Sequence, residues 1–454
     1  LVADDAVLYP SAAREGSVLY VSSDGLRVWR PNGSVERLGW PLEYRVPVPV
    51  PLLLCNVRVV AEDARADSGL RDILLRGGRI ERVGPAGGTA PPRGARVIDA
   101  AGRWAMPGLI DVHAHLWDDA MLPGALYYGV TTVRDMGSNG IARLAGHADA
   151  NDAGARAGPR IVRGGVQFWG AKGPSAPGAH GPSDDAALAR TMTVLRGFGT
   201  SYVKMRSFSD WSAGTRLIAA AADQGWPVSG HEATQLPLVA AGIAGQEHLG
   251  PSATRTEKFI YGDVVELWRA AGMYSVPTIA SYMSQASAYS DLSLRRRIEE
   301  DPLVTPFLRW WIYRMDLRSA QGYGPMASYA RRSAGTAYRG GVRIVAGTDV
   351  PSIPWALHLE LEELVAAGLS PAAALAAATT EAARVLSAEG QLGVVATGAL
   401  ADLVLLDADP RQDISNTQRI WMIIKGGEVV DRARLQQTAA TGGVSEALLR
   451  AAQQ

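Results

Sequence analysis

A chain of 454 residues that is 47% apolar, with 45 basic against 45 acidic side chains, has ample material for a large core. Its zero formal net charge speaks against a nucleic-acid wrapper or an electrostatically held membrane protein, and its single cysteine, Cys55, rules out an internal disulfide framework. Glycine (50) and proline (26) together make about one residue in six, which favours many tight connections over long helical bundles.

The chain starts at Leu1 rather than Met, a start at which a leader peptide would not be seen, so secreted or periplasmic and cytoplasmic locations both stay open. Residues 1–45 read as a small β appendage, with hairpin cues at Asp24-Gly25 and Asn32-Gly33. The apolar stretch from Val46 to Asn56 is broken by three prolines and is too short to span a bilayer; it reads as a linker running into a strand. β-prone runs at 52–60, 71–84 and 95–108 follow, with Gly77-Gly78 as a tight turn, and similar runs recur at 399–410 and 420–430. Such pieces are marginal alone, so the flanks 46–108 and 389–435 are expected to pair into one composite β-sandwich domain, leaving 436–454 as a C-terminal tail.

Between the flanks, over 109–388, short apolar runs alternate with amphipathic helical stretches. The runs lie at 109–115, 130–136, 160–165, 201–205, 227–231, 244–249, 273–278 and 343–349. Eight strands with helical spacers predict an α/β fold of the (β/α)8 barrel type. The ionisable residues strengthen that reading. His113 and His115 end the first run two residues apart, hence on one strand face, while Lys204, His231, His248 and Asp349 close the fourth, fifth, sixth and eighth. One histidine on an apolar strand is more often a satisfied core residue; four at strand ends, joined by an aspartate, are better explained as one cluster at the barrel's C-terminal mouth.

Imidazole nitrogen and carboxylate oxygen are the donors that zinc and similar divalent ions take, and this set could supply one site or two. A cationic Lys204 in the same mouth would repel the metal unless its amine had become an anionic carbamate; the bland alternative is a snorkelling or ion-paired lysine.

With these residues in view, the chain resembles the amidohydrolase superfamily, and most closely the imidazolonepropionase- and prolidase-like members of its binuclear branch. The motifs MPGLIDVHAHL (106–116), GVTTVRDMG (129–137), YVKM (202–205), GHE (230–232), QEHLG (246–250) and AGTDVP (346–351) occur in the family's order, and GALADLVLLDADP and IIKGGEVV look like its companion β domain. The resemblance implies two divalent ions, zinc first among them, with His113 and His115 on one, His231 and His248 on the other, and carbamylated Lys204 between them. Asp349 would bind the first ion and hold the proton of a bridging hydroxide that hydrolyses a C–N bond in a small amide or dipeptide-like substrate. SVLYVSSDGLRVW and the GHE variant are similar to relatives that carry propeller repeats ahead of the hydrolase domain.

Substrate selection should come from the loops. His180, in the Gly/Pro-rich loop after the third run, is a candidate gate or carbonyl-polarising donor. Arg206 could receive a substrate carboxylate, and Trp169, Tyr282 and Trp355 are candidates for the walls of the opening. The aromatic-rich segment 280–338 could form a lid hinged at Gly322 and Gly324, although helix packing explains most of its aromatics. His358 and Glu362 share a helix face, a pattern better read as an ordinary amphipathic turn than as a second metal site. Apolar outer faces on the barrel helices leave room for a homo-oligomer. The competing functions are a lactonase or esterase, a cyclic-amide hydrolase or a mononuclear deaminase on the same scaffold, and more remotely a silent binding protein.

Overall fold

The β-prone runs and turn glycines at the two ends of the chain form sheets, and the alternating middle forms a barrel. The computed structural model describes residues 8–22, 25–38, 48–60, 69–117, 121–137, 140–154, 156–168, 185–206, 211–231, 233–249, 262–313, 317–349 and 353–441. Strands β1 (Leu8–Ala12), β2 (Val18–Ser22), β3 (Gly25–Trp29) and β4 (Val35–Leu38) make a four-stranded antiparallel meander.

A second sheet takes strands from both flanks. Strands β5 (Leu52–Val59), β6 (Leu70–Arg76), β7 (Arg79–Pro85), β8 (Arg96–Asp99) and β9 (Trp104–Pro107) precede the barrel. Gly77 and Gly78 turn the β6–β7 hairpin with φ of 56° and 76°, the left-handed values that a tight two-residue turn requires.

The barrel strands are β10 (Leu109–Ala114), β11 (Val130–Asp135), β12 (Arg160–Val162), β13 (Gln167–Phe168), β14 (Val203–Met205), β15 (Val228–Gly230), β16 (Gly245–Glu247), β17 (Tyr274–Val276) and β18 (Arg343–Ile344). Neighbours pair in parallel. The expected third run is divided: β12 pairs with β11 and β13 with β14, so the two pieces share one position in the ring. Ring closure comes from hydrogen bonds beyond the short β18. Val112 N donates to Ala346 O at 3.1 Å, and Thr348 N to His113 O at 3.1 Å.

After the barrel, β19 (Leu403–Leu406), β20 (Ile420–Lys425) and β21 (Glu428–Val429) rejoin the second sheet in the order β21-β20-β19-β9-β5-β6-β7. The pairing of β19 with β9, Leu403 opposite Pro107, is where the two flanks meet. The sheet buries Leu52, Leu54, Ile73, Leu403 and Ile424 in its own core, while the main core lies between barrel and helices.

Helices Ile279–Ser290, Leu292–Glu300, Pro306–Tyr313 and Leu317–Arg339 account for the aromatic-rich segment. The last of these runs unbroken through Gly322 and Gly324, which corrects the expectation of a hinge there. Among the described residues no helix is long and apolar enough to cross a membrane.

Candidate metal centre

All six cluster residues arrive at one place. His113 lies in β10 and His115 one residue beyond it, Lys204 in β14, His231 and His248 one residue past β15 and β16, and Asp349 five residues past β18. Asp349 Oδ1 stands 3.1 Å from His113 Nε2, 3.4 Å from His115 Nε2 and 3.7 Å from His248 Nε2. Lys204 Nζ is 3.5 Å from His113 Nε2. The His248 ring lies 4.6 Å, centroid to centroid, from both His113 and His231.

The backbone is bent to bring these groups together. His248 and Asp349 adopt left-handed φ of 63° and 65°, and Thr278, which touches His248, has φ of 53°. Left-handed backbone at residues other than glycine costs on the order of 1–3 kcal/mol each and is held by its surroundings. Asp349 N and Thr348 N both donate to His113 O, and the fully buried carboxyl of Asp111 accepts from His113 N at 3.0 Å and from Thr348 Oγ1 at 2.7 Å. Gly347 makes this approach feasible: a Cβ there would lie 2.6 Å from His113 Cβ and 2.7 Å from Val276 Cγ1.

The electrostatics suit a cation. Burial first, then the Lys204 charge, holds His231 well below the ordinary imidazole range; burial does the same for His248, so both present neutral rings. Burial works against ionisation of Asp349, but the imidazoles of His248, His113 and His115 gathered around it outweigh that and keep the carboxyl well below its usual range. Burial pulls the Lys204 amine down to about 8.

The residues fit a divalent ion. One donor atom each from His113, His115 and Asp349 lies within 4.8 Å of the others, a mixed nitrogen and oxygen set. Among the described residues this is the one such trio of His, Cys, Asp or Glu side chains. His115 Nδ1 donates to Gly137 O at 3.0 Å, which leaves its Nε2 lone pair facing Asp349.

Of the expected substrate contacts, Arg206 stands next to the cluster. Burial lowers its pKa and the Asp349 charge opposes that shift, while its Nη1 donates to Gln167 Oε1 at 3.1 Å. Gln167 Nε2 in turn donates to Gly137 O, the carbonyl that also holds His115. Tyr282 packs half-buried against the main core. Trp355, expected at the opening, is instead fully buried among Ile298, Val304, Leu308 and Ile312, with the Arg297 guanidinium 4.0 Å over its ring. A side chain so enclosed forms core, not wall. His180 and Trp169 lie outside the described residues. His358 bonds Thr417 Oγ1 and Tyr128 O, both at 2.9 Å, and Glu362 accepts from Gln418, in keeping with an ordinary structural helix face.

Sequence reasoning passed over the charges behind the cluster. Glu247 meets His113 Nδ1 at 2.6 Å and takes Arg134 Nη2 at 2.8 Å and Ser229 Oγ at 2.6 Å. The signal was present: Arg134 and Glu247 stand inside apolar runs, where a buried charge needs a partner.

The model of the amidohydrolase family matches residues 104–430, well over half of the chain. The chain belongs to the amidohydrolase family. Among curated relatives, an imidazolonepropionase of Rubrobacter xylanophilus is 25% identical over 74% of this chain and 84% of its own. A deacetylase of Agrobacterium fabrum is 37% identical over 23% of this chain and 27% of its own length. The match to the deacetylase thus spans about a quarter of that relative, and an imidazolonepropionase of Stenotrophomonas maltophilia is matched over 17% of its length. Among solved structures, a Xaa-Pro dipeptidase with methionine in its active site superposes with a TM-score of 0.65 at 21% identity, over 84% of this chain and 100% of that one. Molinate hydrolase gives 0.68 at 17% identity, over 85% and 96% of the two chains. These similarities establish the fold.

Proposed function

We propose that this protein is a metal-dependent hydrolase that cleaves the C–N bond of a small amide bearing a carboxylate, a dipeptide or an N-acyl amino acid, at a centre of two divalent ions, zinc first among them. The observation that carries the reading is the convergence of His113 Nε2 and His115 Nε2 on Asp349 Oδ1, with the buried Lys204 amine 3.5 Å from the same His113 nitrogen. Such ions supply an activated hydroxide and an electrophile for the scissile carbonyl. His113, His115 and Asp349 would hold one ion and His231 with His248 the other.

Lys204 would stand between them as a carbamate. Its amine, lowered by burial, adds to carbon dioxide with loss of a proton, and the product is an anion with two oxygens where an ammonium would repel the metal. Asp349 would take a proton from the attacking water and return it to the departing amine. Arg206, held by Gln167 beside the cluster, receives the substrate carboxylate through its planar fork.

One observation favours a second reading, a single-ion enzyme with an unmodified lysine: the donor atoms close into a trio only around His113, His115 and Asp349 among the described residues. Metal analysis after reconstitution with zinc and bicarbonate, together with carbon NMR of the carbamate and a panel of dipeptides, N-acyl amino acids and lactones, separates the two. About two ions per chain, a carbamate signal and amide turnover are expected. A single ion with a free amine at position 204 selects the second reading, and turnover of lactones alone sinks the amide assignment.

A further inference from the structure

We infer that Glu247 is a positioning residue of the metal centre: it fixes which ring nitrogen of His113 faces the ligand cluster, and Arg134 holds it in place for that task. The inference rests on the metal-centre reading above. His113 Nδ1 lies 2.6 Å from Glu247 Oε2, and both side chains are fully buried. An ionised carboxylate offers only lone pairs, so the shared proton belongs on Nδ1. The His113 Nε2 lone pair is then directed at the place where Asp349 Oδ1 waits 3.1 Å away.

Glu247 is itself held from several strands. Its Oε1 accepts from Arg134 Nη2 at 2.8 Å and from Ser229 Oγ at 2.6 Å. Arg134, on β11, also donates through Nη1 to Tyr274 Oη at 2.9 Å and through Nε to Val112 O, the carbonyl that immediately precedes His113. The rings of Tyr202 and Tyr274 flank the guanidinium, its carbon 5.0 and 5.7 Å from their centroids. The carboxylate, its counter-cation and the strand carrying His113 therefore form one closed unit.

Stability alone does not account for this unit. A fully buried ion pair adds little net stability over well-packed apolar side chains of similar volume. The other two imidazoles with an assigned Nδ1 partner use neutral ones, Gly137 O for His115 and Thr278 Oγ1 for His248. Of these three, His113 is the one backed by a charge, and a carboxylate behind the distal nitrogen of a metal-ligating histidine raises its basicity as well as fixing its tautomer. The ion held by His113, His115 and Asp349 is thus expected to be bound more tightly than it would be without Glu247.

The test uses the whole chain loaded with zinc or with cadmium-113. Chelator competition should show zinc bound about 10- to 100-fold more weakly by Glu247→Gln than by the wild type. In wild type with nitrogen-15 histidine, cadmium coupling should run through Nε2 of His113. Unfolding of the metal-free variant, read alongside, separates a lost fold from a lost orientation. Should Glu247→Gln fail to fold, Arg134→Met with Glu247→Gln removes both buried charges together and is expected to fold while showing the same loss of affinity. Unchanged zinc affinity in a folded variant, or cadmium coupled through Nδ1 of His113, overturns the inference. A wild type that takes up neither metal overturns the metal-centre reading itself.

Discussion

Lys204 Nζ lies 3.5 Å from His113 Nε2, with no solvent around either side chain. An ammonium at that distance competes with a metal for the imidazole lone pair, whereas a carbamate would share the metal with it. Lys204→Ala should therefore bind one ion fewer than the wild type while keeping the ion held by His113, His115 and Asp349. Amide turnover should fall by at least about a hundredfold, on the scale of removing a group that stabilises the transition state. Metal content and steady-state rates on the same samples check this; equal metal content in the two proteins would mean that Lys204 bridges nothing.

Gly347 is placed where no side chain fits. Its added Cβ would meet the backbone N of His113 at 2.9 Å as well as the Cβ at 2.6 Å, and neither atom can swing aside. Gly347→Ala should cost about 1–3 kcal/mol of stability, the usual range for overpacking a closed site. It should also weaken metal binding, because the strand that must move carries His113. Denaturant unfolding of the metal-free protein and chelator competition measure the two effects; a stable variant with native affinity would show that the contact relaxes elsewhere.

Much of this site was legible from residue type and spacing. Histidines two apart at the end of an apolar run share a strand face, and a lysine and an aspartate ending other runs have few uses besides a common mouth. What the sequence hid depends on three dimensions. The division of the third run into β12 and β13 follows from pairing to different neighbours, and β18 ends at Ile344 although Ala346 and Thr348 still hydrogen-bond to the first barrel strand. Trp355 follows the eighth strand, where a wall residue was expected, but its ring enters the core of the 298–312 helices, a direction no periodicity records. Glu247 was written in the same motif as His248 yet acts on His113, 134 positions away in sequence.

Arg206 offers a test of substrate class. Its guanidinium is held beside the cluster by Gln167 Oε1 at 3.1 Å, and the planar fork of an arginine matches a carboxylate. A hydrogen bond to a charged partner contributes about 1.5–3 kcal/mol, so Arg206→Met should lower kcat/KM for a carboxylate-bearing amide by roughly 10- to 150-fold. The matching methyl ester of the substrate's acid should lose little, since it has no charge to forfeit. Equal losses on both compounds would place Arg206 in the scaffold rather than in substrate recognition.

His358 gives the fold a pH response separate from the metal centre. The ring is fully buried between Thr417 Oγ1 and Tyr128 O, and burial lowers its pKa to about 4 from the ordinary 6.5. Below pH 6.5 the unfolded chain takes up a proton that the folded chain refuses, so unfolding is favoured as the pH drops. The contribution is fully present above about pH 6.5, declines between 6.5 and 4, and levels off below 4; across that window it amounts to about 3 kcal/mol. Denaturant midpoints of the metal-free protein from pH 8 to pH 4 should fall accordingly. In His358→Gln, whose amide can bond the same two oxygens' neighbourhood without titrating, that part of the slope should vanish while the midpoint at pH 8 shifts by a smaller, pH-independent amount. An identical slope in both proteins would assign the acid sensitivity to other groups.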